Sequence, residues 1–221
     1  MTERSYRWLF WGLAIVGLLA DQASKYLVFH LLYETNQQSE RSQKVVTEAI
    51  IPDLFGLRVT YDNSSEGKKQ PSWRSGLQGI GSEELPYVNK GALFGWFQDA
   101  GWGNAAFAVV SILAAAGIIF WSTRPSLARD WLHCAALGLI LAGTLGNFYD
   151  RIVFDGVRDF LDFYITRWQW HWPTFNIADV CLVSGASLLL LQAFFGKAVE
   201  PAERAAAESA EMPVAAEAKS A

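Results

Sequence analysis

Phe175-Asn176-Ile177-Ala178-Asp179 leads without a break into residues 180–196, a stretch with no charged side chain. A helix rises about 1.5 Å per residue, so about 20 mostly apolar residues cross the hydrocarbon core of a bilayer. Residues 176–196 meet that length and place Asp179 in the first turn, at the membrane edge. A carboxylate is costly to bury there, so an acid at such a position points to function. Twenty residues earlier stands a second acid, Asp159, within Val157-Arg158-Asp159-Phe160-Leu161-Asp162-Phe163. If the aromatic linker between them folds back, the two acids face each other across a water-filled notch.

Outward from this stretch the charges segregate in blocks. Residues 100–123 and 131–149 are also free of Asp, Glu, Lys and Arg. Spans are expected at about 103–121 and 131–149, and a first at about 8–29, where Asp21 and Lys25 lie four residues apart on one helix face. Hydrophobic residues make up 52 % of the 221 and charged ones 18 %, against about 25 % in soluble domains. The fold class expected is a membrane all-α protein with four transmembrane helices and a small β-rich extracytoplasmic subdomain. The net charge of −4 comes without any basic patch of the kind that nucleic acid requires. Cys134 and Cys181 lie inside apolar runs and read as small hydrophobes. The three histidines show no ligand-like spacing, so no metal is expected.

Between the first two spans, about 30–99, lies a hydrophilic interval with seven Lys or Arg. Leu57-Arg58-Val59-Thr60-Tyr61 alternates at period two and predicts a strand. Residues of about 62–86, rich in Ser, Gly, Lys and Glu, read as an inserted mobile loop. Residues 197–221, rich in Ala and Glu, read as a solvated tail. Arg4 and Arg7, and the pair Arg124 and Arg129, favour the cytoplasmic side. Both termini are then cytoplasmic, and the 30–99 and 150–175 connections lie outside.

Polar residues recur at the outer helix ends. Asp21 and Lys25 read equally well as an interfacial pair capping the first helix and as part of a site. Asn147, Asp150 and Arg151, spaced i, i+3, i+4, gather on one face of the third span, where Gly143, Thr144 and Gly146 permit close packing. Asn176 is placed to cap the fourth helix. Arg151 is expected to pair with Asp150 or Asp162, and Asp162 with Arg158 or Arg151.

Four blocks in fixed order carry a resemblance. They are Asp21-Gln22-Ala23-Ser24-Lys25-Tyr26-Leu27, Asn89-Lys90-Gly91-Ala92-Leu93-Phe94, residues 143–151, and Val157-Arg158-Asp159 through Phe175-Asn176-Ile177-Ala178-Asp179. Together they resemble the lipoprotein signal peptidases (signal peptidase II), bacterial intramembrane aspartyl proteases, over most of residues 5–196. The resemblance implies that Asp159 and Asp179 are the catalytic pair. Asp21, Lys25, Asn89, Gly91, Asn147, Asp150, Arg151 and Asn176 would bind substrate or support the site. It also implies four helices, an external β-rich cradle, no cofactor, and cleavage of prolipoproteins before a diacylglyceryl-modified cysteine. The enzyme would sit as a monomer in the inner membrane, in contact with lipid. The insertion at about 62–86 and the long tail depart from the family pattern. A small ion-coupled carrier and a non-enzymatic scaffold are the competing classes; polar residues clustered at one set of helix ends, without a repeat of the two halves, count against the carrier, and the scaffold predicts that removing both carboxyl groups leaves function intact.

Overall fold

A computed structural model of the chain describes residues 5–38, 45–62, 74, 77, 85–86, 88–90 and 102–195. It forms two units, Met1–Leu189 and Leu190–Ala221. The first holds the sheet and every residue discussed below; of the second, only the end of the last helix is described. The tail at 197–221, most of the 62–86 insertion and Gly91 lie outside the described residues.

Four helices are long and apolar enough to cross a membrane. They are α1 (Arg7–Gln38), α2 (Gly103–Ser122), α4 (Trp131–Phe154) and α5 (Ile177–Phe195). A short helix, α3 (Pro125–Ala128), turns the chain between α2 and α4. Two helices outrun their expected ends. The first continues past Phe29 because no Gly or Pro interrupts residues 18–38, and Asp21 and Lys25 turn inward rather than mark an end. The third continues through Asp150 and Arg151 to Phe154 and stops at Asp155, whose φ of 61° is left-handed.

The most buried of the four is α4. Phe10 and Ala14 of α1, Ala115 and Ile118 of α2, and Cys134, Leu137 and Leu141 of α4 form one apolar cluster. Helices approach closely where α4 has no side chain. A methyl group at Gly143 would collide with the Ala178 carbonyl oxygen and lie 2.7 Å from Leu182 Cγ, both on α5. At Gly146 it would stand 2.6 Å from Asp21 Oδ2 of α1. Gly143→Ala is therefore expected to lower stability by about 1–3 kcal/mol through overpacking. Gly117→Ala, with nothing within 4 Å of the added carbon, is the control and should leave stability unchanged or slightly raised. Thermal unfolding in detergent compares the two.

The sheet has the order β1-β2-β4-β5, with β3 pairing β2 off that path. Val45–Ile51 (β1) and Phe55–Asp62 (β2) form an antiparallel hairpin about Pro52-Asp53-Leu54, where Asp53 has a φ of 64°. The alternating stretch at 57–61 lies inside β2, as its periodicity predicts. Leu161–Ile165 (β4) adds to β2 with Gly56 opposite Asp162. Trp170–His171 (β5) closes a second hairpin. Leu85–Pro86 (β3) lies at the end of the expected insertion and pairs with Tyr61 and Asp62. A second apolar cluster fastens sheet to helix: Val28, Phe29 and Leu32 of α1 pack with Val59 of β2 and with Phe160. The outer end of α1 thus gives the sheet its footing, and Phe160 of this cluster directly follows Asp159.

Candidate active site

The first turn of α5 carries the first acid. Helix starts leave backbone N–H groups without partners, and three side chains meet that need here. Asp179 N–H donates to Asn176 Oδ1 at 3.0 Å, and Asn176 N–H donates to Asp179 Oδ2 at 3.2 Å, a reciprocal capping box. Asp21, reaching across from α1, accepts from Ala178 N–H at 2.8 Å. Asn176 therefore caps α5 as its position suggests, and Asp179 is fixed by the helix it helps to start.

Asp159 arrives from the other side, on an extended segment held at both ends. Val157 and Asn89 exchange backbone N–H···O bonds of 2.8 Å, and Phe160 N–H donates to Phe175 O at 3.0 Å. Leu161 and Phe175 bond in both directions, at 2.8 and 3.1 Å. This stitching lays 159–161 along 175–176 and delivers Asp159 to Asn176. Asn176 Nδ2 donates to Asp159 Oδ1 at 2.7 Å, and Asn89 Nδ2 donates to Asp159 Oδ2 at 3.2 Å. Asn147 Nδ2 donates to Asp179 Oδ1 at 2.8 Å. Asn176 thus contacts both carboxyl groups, and every one of their four oxygens accepts an N–H. Both acids are half-buried, so water still reaches them.

Asp159 lies in the connection between α4 and α5, outside the spanning segments, and its surroundings push its pKa up to about 7. Burial is the main cause and the like charge of Asp179 adds to it; the Asn89 and Asn176 hydrogen bonds and the charge of Lys25 pull the other way.

Beside the two acids lies a fully buried charged cluster. Lys25 Nζ sits 2.9 Å from Asp21 Oδ2 and 3.3 Å from Asp150 Oδ2, with all three side chains at 0 % exposure. It also donates to Asn147 Oδ1 at 3.4 Å, which ties the cluster to the partner of Asp179. Arg158 completes it through Asp150 Oδ1 at 2.9 Å. Gln22 Nε2 bridges Asp21 Oδ2 and the Gly146 carbonyl at 2.9 and 3.1 Å. Two acids meet two bases, so the cluster is neutral. Asp21 and Lys25 are not an interfacial pair: they are buried and brace α5 and Asn147.

Three further expectations need correction. Asn147, Asp150 and Arg151 do not share one target. At about 100° per residue, positions i+3 and i+4 diverge to either side of i, toward different helices. Asp150 turns to Lys25 of α1, while Arg151 lies 5.3 Å over the Phe107 ring of α2 and donates to Asn147 O at 3.2 Å. Arg151 pairs with neither Asp150 nor Asp162 among the described residues. Asp162 is 3.7 Å from His171 Nδ1, because strand pairing turns it away from Arg158. Sequence reasoning missed the bond between Arg158 and Asp150. Its only signal was an arginine between Val157 and Asp159, with Asp162 a nearer acid in sequence.

A family model described as "Signal peptidase (SPase) II" matches residues 84–195. A protein named "Lipoprotein signal peptidase" from Pseudomonas fluorescens (strain Pf0-1) is 33 % identical over 193 residues, 86 % of this chain and 88 % of its own. One of the same name from Yersinia pestis (strain Pestoides F) is 41 % identical over 107 residues, 48 % of this chain and 62 % of its own. Two solved structures, each titled a bacterial membrane enzyme obtained by the in meso method, share the fold. The one at 2.3 Å resolution has a TM-score of 0.62 at 21 % identity, covering 90 % of this chain and 98 % of that one. The one at 1.9 Å has a TM-score of 0.56 at 17 % identity, covering 89 % and 99 %.

Proposed function

This chain belongs to the signal peptidase II family, whose activity is the removal of signal peptides from prolipoproteins, and we propose that it does so as an aspartic endopeptidase with Asp159 and Asp179 as its catalytic pair. The observation that carries this reading is the single asparagine, Asn176, bonded to both carboxyl groups at 2.7 and 3.2 Å. The like charge of Asp179 raises the proton affinity of Asp159, so the protonation of Asp159 depends on its neighbour.

The chemistry follows from one shared proton. The ionised carboxylate takes a proton from water, whose oxygen attacks the scissile carbonyl carbon. The protonated carboxyl donates to the carbonyl oxygen as it gains charge. When the tetrahedral intermediate collapses, the C–N bond breaks and the amine leaves with a proton returned from the pair. Peptide and water become acid and amine, and the pair ends with the one proton it began with. Asn147, Asn176 and Asn89 hold the carboxyl groups in place through this cycle. Asp21, Lys25 and Asp150 fix the helices that carry them.

The substrate in this reading is a diacylglyceryl-modified prolipoprotein, cut before the lipidated cysteine. The protein is a monomer in the inner membrane, with both termini cytoplasmic and the site near the outer face. Arg124 and Arg129, in the short connection between α2 and α4, support that orientation. Incubating purified protein with a modified precursor and weighing the products tests it. The expected product begins with diacylglyceryl-cysteine. A cut elsewhere, or equal cleavage of the unmodified precursor, would overturn the substrate assignment.

The raised pKa of Asp159 sets a pH dependence. Its proton is held at acid pH and lost as the pH rises through about 7, so kcat/KM should fall on the alkaline side with an apparent pKa near 7. Stability carries the same sign. A carboxyl with a raised folded value contributes stability that is full below its unfolded value and lost as pH rises through about 7. Initial rates from pH 5 to 9, with unfolding measured over the same range, check both. A rate that still climbs at pH 9 would contradict the assignment.

A further inference from the structure

Among the described residues Arg158 is the largest fully buried side chain, and it stands immediately before Asp159. Its backbone N–H donates to Asp150 Oδ2 at 2.9 Å, its Nε to the same oxygen at 3.2 Å, and its terminal nitrogen to Asp150 Oδ1 at 2.9 Å. The same terminal nitrogen reaches Gln22 Oε1 of α1 at 3.0 Å. The guanidinium carbon Cζ lies 3.7 Å from the Phe154 ring centre and 4.4 Å from that of Tyr26. Resting on the reading of Asp159 and Asp179 as the catalytic pair, we propose that Arg158 is a positioning residue for that pair. It anchors the chain one residue ahead of Asp159, and it supplies the second positive charge that keeps the buried cluster neutral.

The anchoring follows from the bonds. One carboxylate on the rigid helix α4 grips both the backbone and the side chain of residue 158. Residues 157 and 160 are tied to Asn89 and Phe175. Asp159 is thus fixed on both sides, by charge-assisted bonds at Arg158 and by a backbone bond at Phe160. The Phe154 and Tyr26 rings pack against the guanidinium as cation–π partners.

The charge argument counts every group facing Asp159. Asp179 comes from α5, Lys25 from α1, and Arg151 from α4; Asn89 and Asn176 are neutral. Behind Lys25 stand Asp21 and Asp150, balanced by Lys25 and Arg158. Without Arg158, one lysine faces two buried carboxylates. The excess negative charge then favours the proton on the catalytic pair.

The test compares Arg158→Gln and Arg158→Lys with the unaltered full chain on a diacylglyceryl-modified precursor, across pH. Arg158→Gln should lower kcat about tenfold, leave KM within about twofold, and move the alkaline limb up by about one pH unit, the scale of one charge at intermediate dielectric. Arg158→Lys keeps the charge but not the forked grip, so its limb should stay near the wild-type position while kcat still falls. If Arg158→Gln does not accumulate folded, the double variant Arg158→Gln/Asp150→Asn restores neutrality. It should show the wild-type limb with a reduced rate. A residue that only packs would lower the yield of folded protein without moving the limb. An unmoved limb in Arg158→Gln, or a raised one in the double variant, overturns the inference. Asp159→Asn and Asp179→Asn run alongside. Activity in those two would remove the pair reading itself, whereas their inactivity beside a normal Arg158→Gln would remove only the role given to Arg158.

Discussion

Asp159→Asn is expected to reduce single-turnover cleavage of a diacylglyceryl-modified precursor by at least about 10³-fold, within the range that a positioned acid or base contributes. The substitution keeps the shape of the side chain and removes its proton chemistry. Asn176 Nδ2 and Asn89 Nδ2 now donate to the two oxygens, at 2.7 and 3.2 Å. An amide offers one oxygen, so one of these contacts is lost, at about 1 kcal/mol. Removing a half-buried acid held near a second one offsets part of that cost. The protein should therefore remain folded, with precursor binding within about threefold of wild type. Size-exclusion profiles, binding of the precursor and single-turnover rates are measured together. A variant that binds and cleaves at near-normal rate would show that Asp159 takes no part in the chemistry.

Lys25→Met should produce the largest loss of stability of any single change considered. Lys25 lies 2.9 Å from Asp21 and 3.3 Å from Asp150, and no atom of the three side chains reaches solvent. Breaking a buried pair by removing one partner typically costs about 3–5 kcal/mol, because the remaining charge is left uncompensated. Here two carboxylates share the consequence, with Arg158 as their remaining base. Activity should fall as well, since Asp21 caps α5 at Ala178 and Lys25 bonds Asn147, the partner of Asp179. Adding Asp21→Asn to Lys25→Met restores the charge balance and should recover a substantial part of the stability. Chemical unfolding in detergent micelles provides the comparison. A single variant within about 0.5 kcal/mol of wild type would contradict the buried network.

The spans are readable because charge-free runs at 100–123, 131–149 and 180–196 are long enough to leave little else. The end of α1 was hidden by Asp21 and Lys25, which look like a helix boundary until a tertiary partner is known. The distant partner of Lys25, Asp150, is more than a hundred residues away, and no local pattern announces it. The alternation at 57–61 exposed β2. By contrast β1, mostly exposed, has no clean alternation, and the short strands β3 and β5 exist only through pairing. In the candidate site, Asp159 and Asp179 stand out as acids at the margin of apolar segments. Capping chemistry singled out Asn176 in advance. The split of Asn147, Asp150 and Arg151 toward α5, α1 and α2 depends on where the neighbouring helices lie, which helix periodicity alone does not specify. The bond between Arg158 and Asp150 was equally out of reach, because Asp162 was nearer in sequence.

The most direct measurement is a carboxyl titration of the folded protein with ¹³C-labelled aspartate, comparing wild type with Asp179→Asn. One carboxyl should take up its proton near pH 7 in wild type, and its midpoint should fall when the neighbouring charge at 179 is removed. Such a result is expected of two acids sharing a single proton. A resonance of Asp159 that titrates in the ordinary carboxylate range, unmoved by the change at 179, would mean that the two groups do not act as a pair.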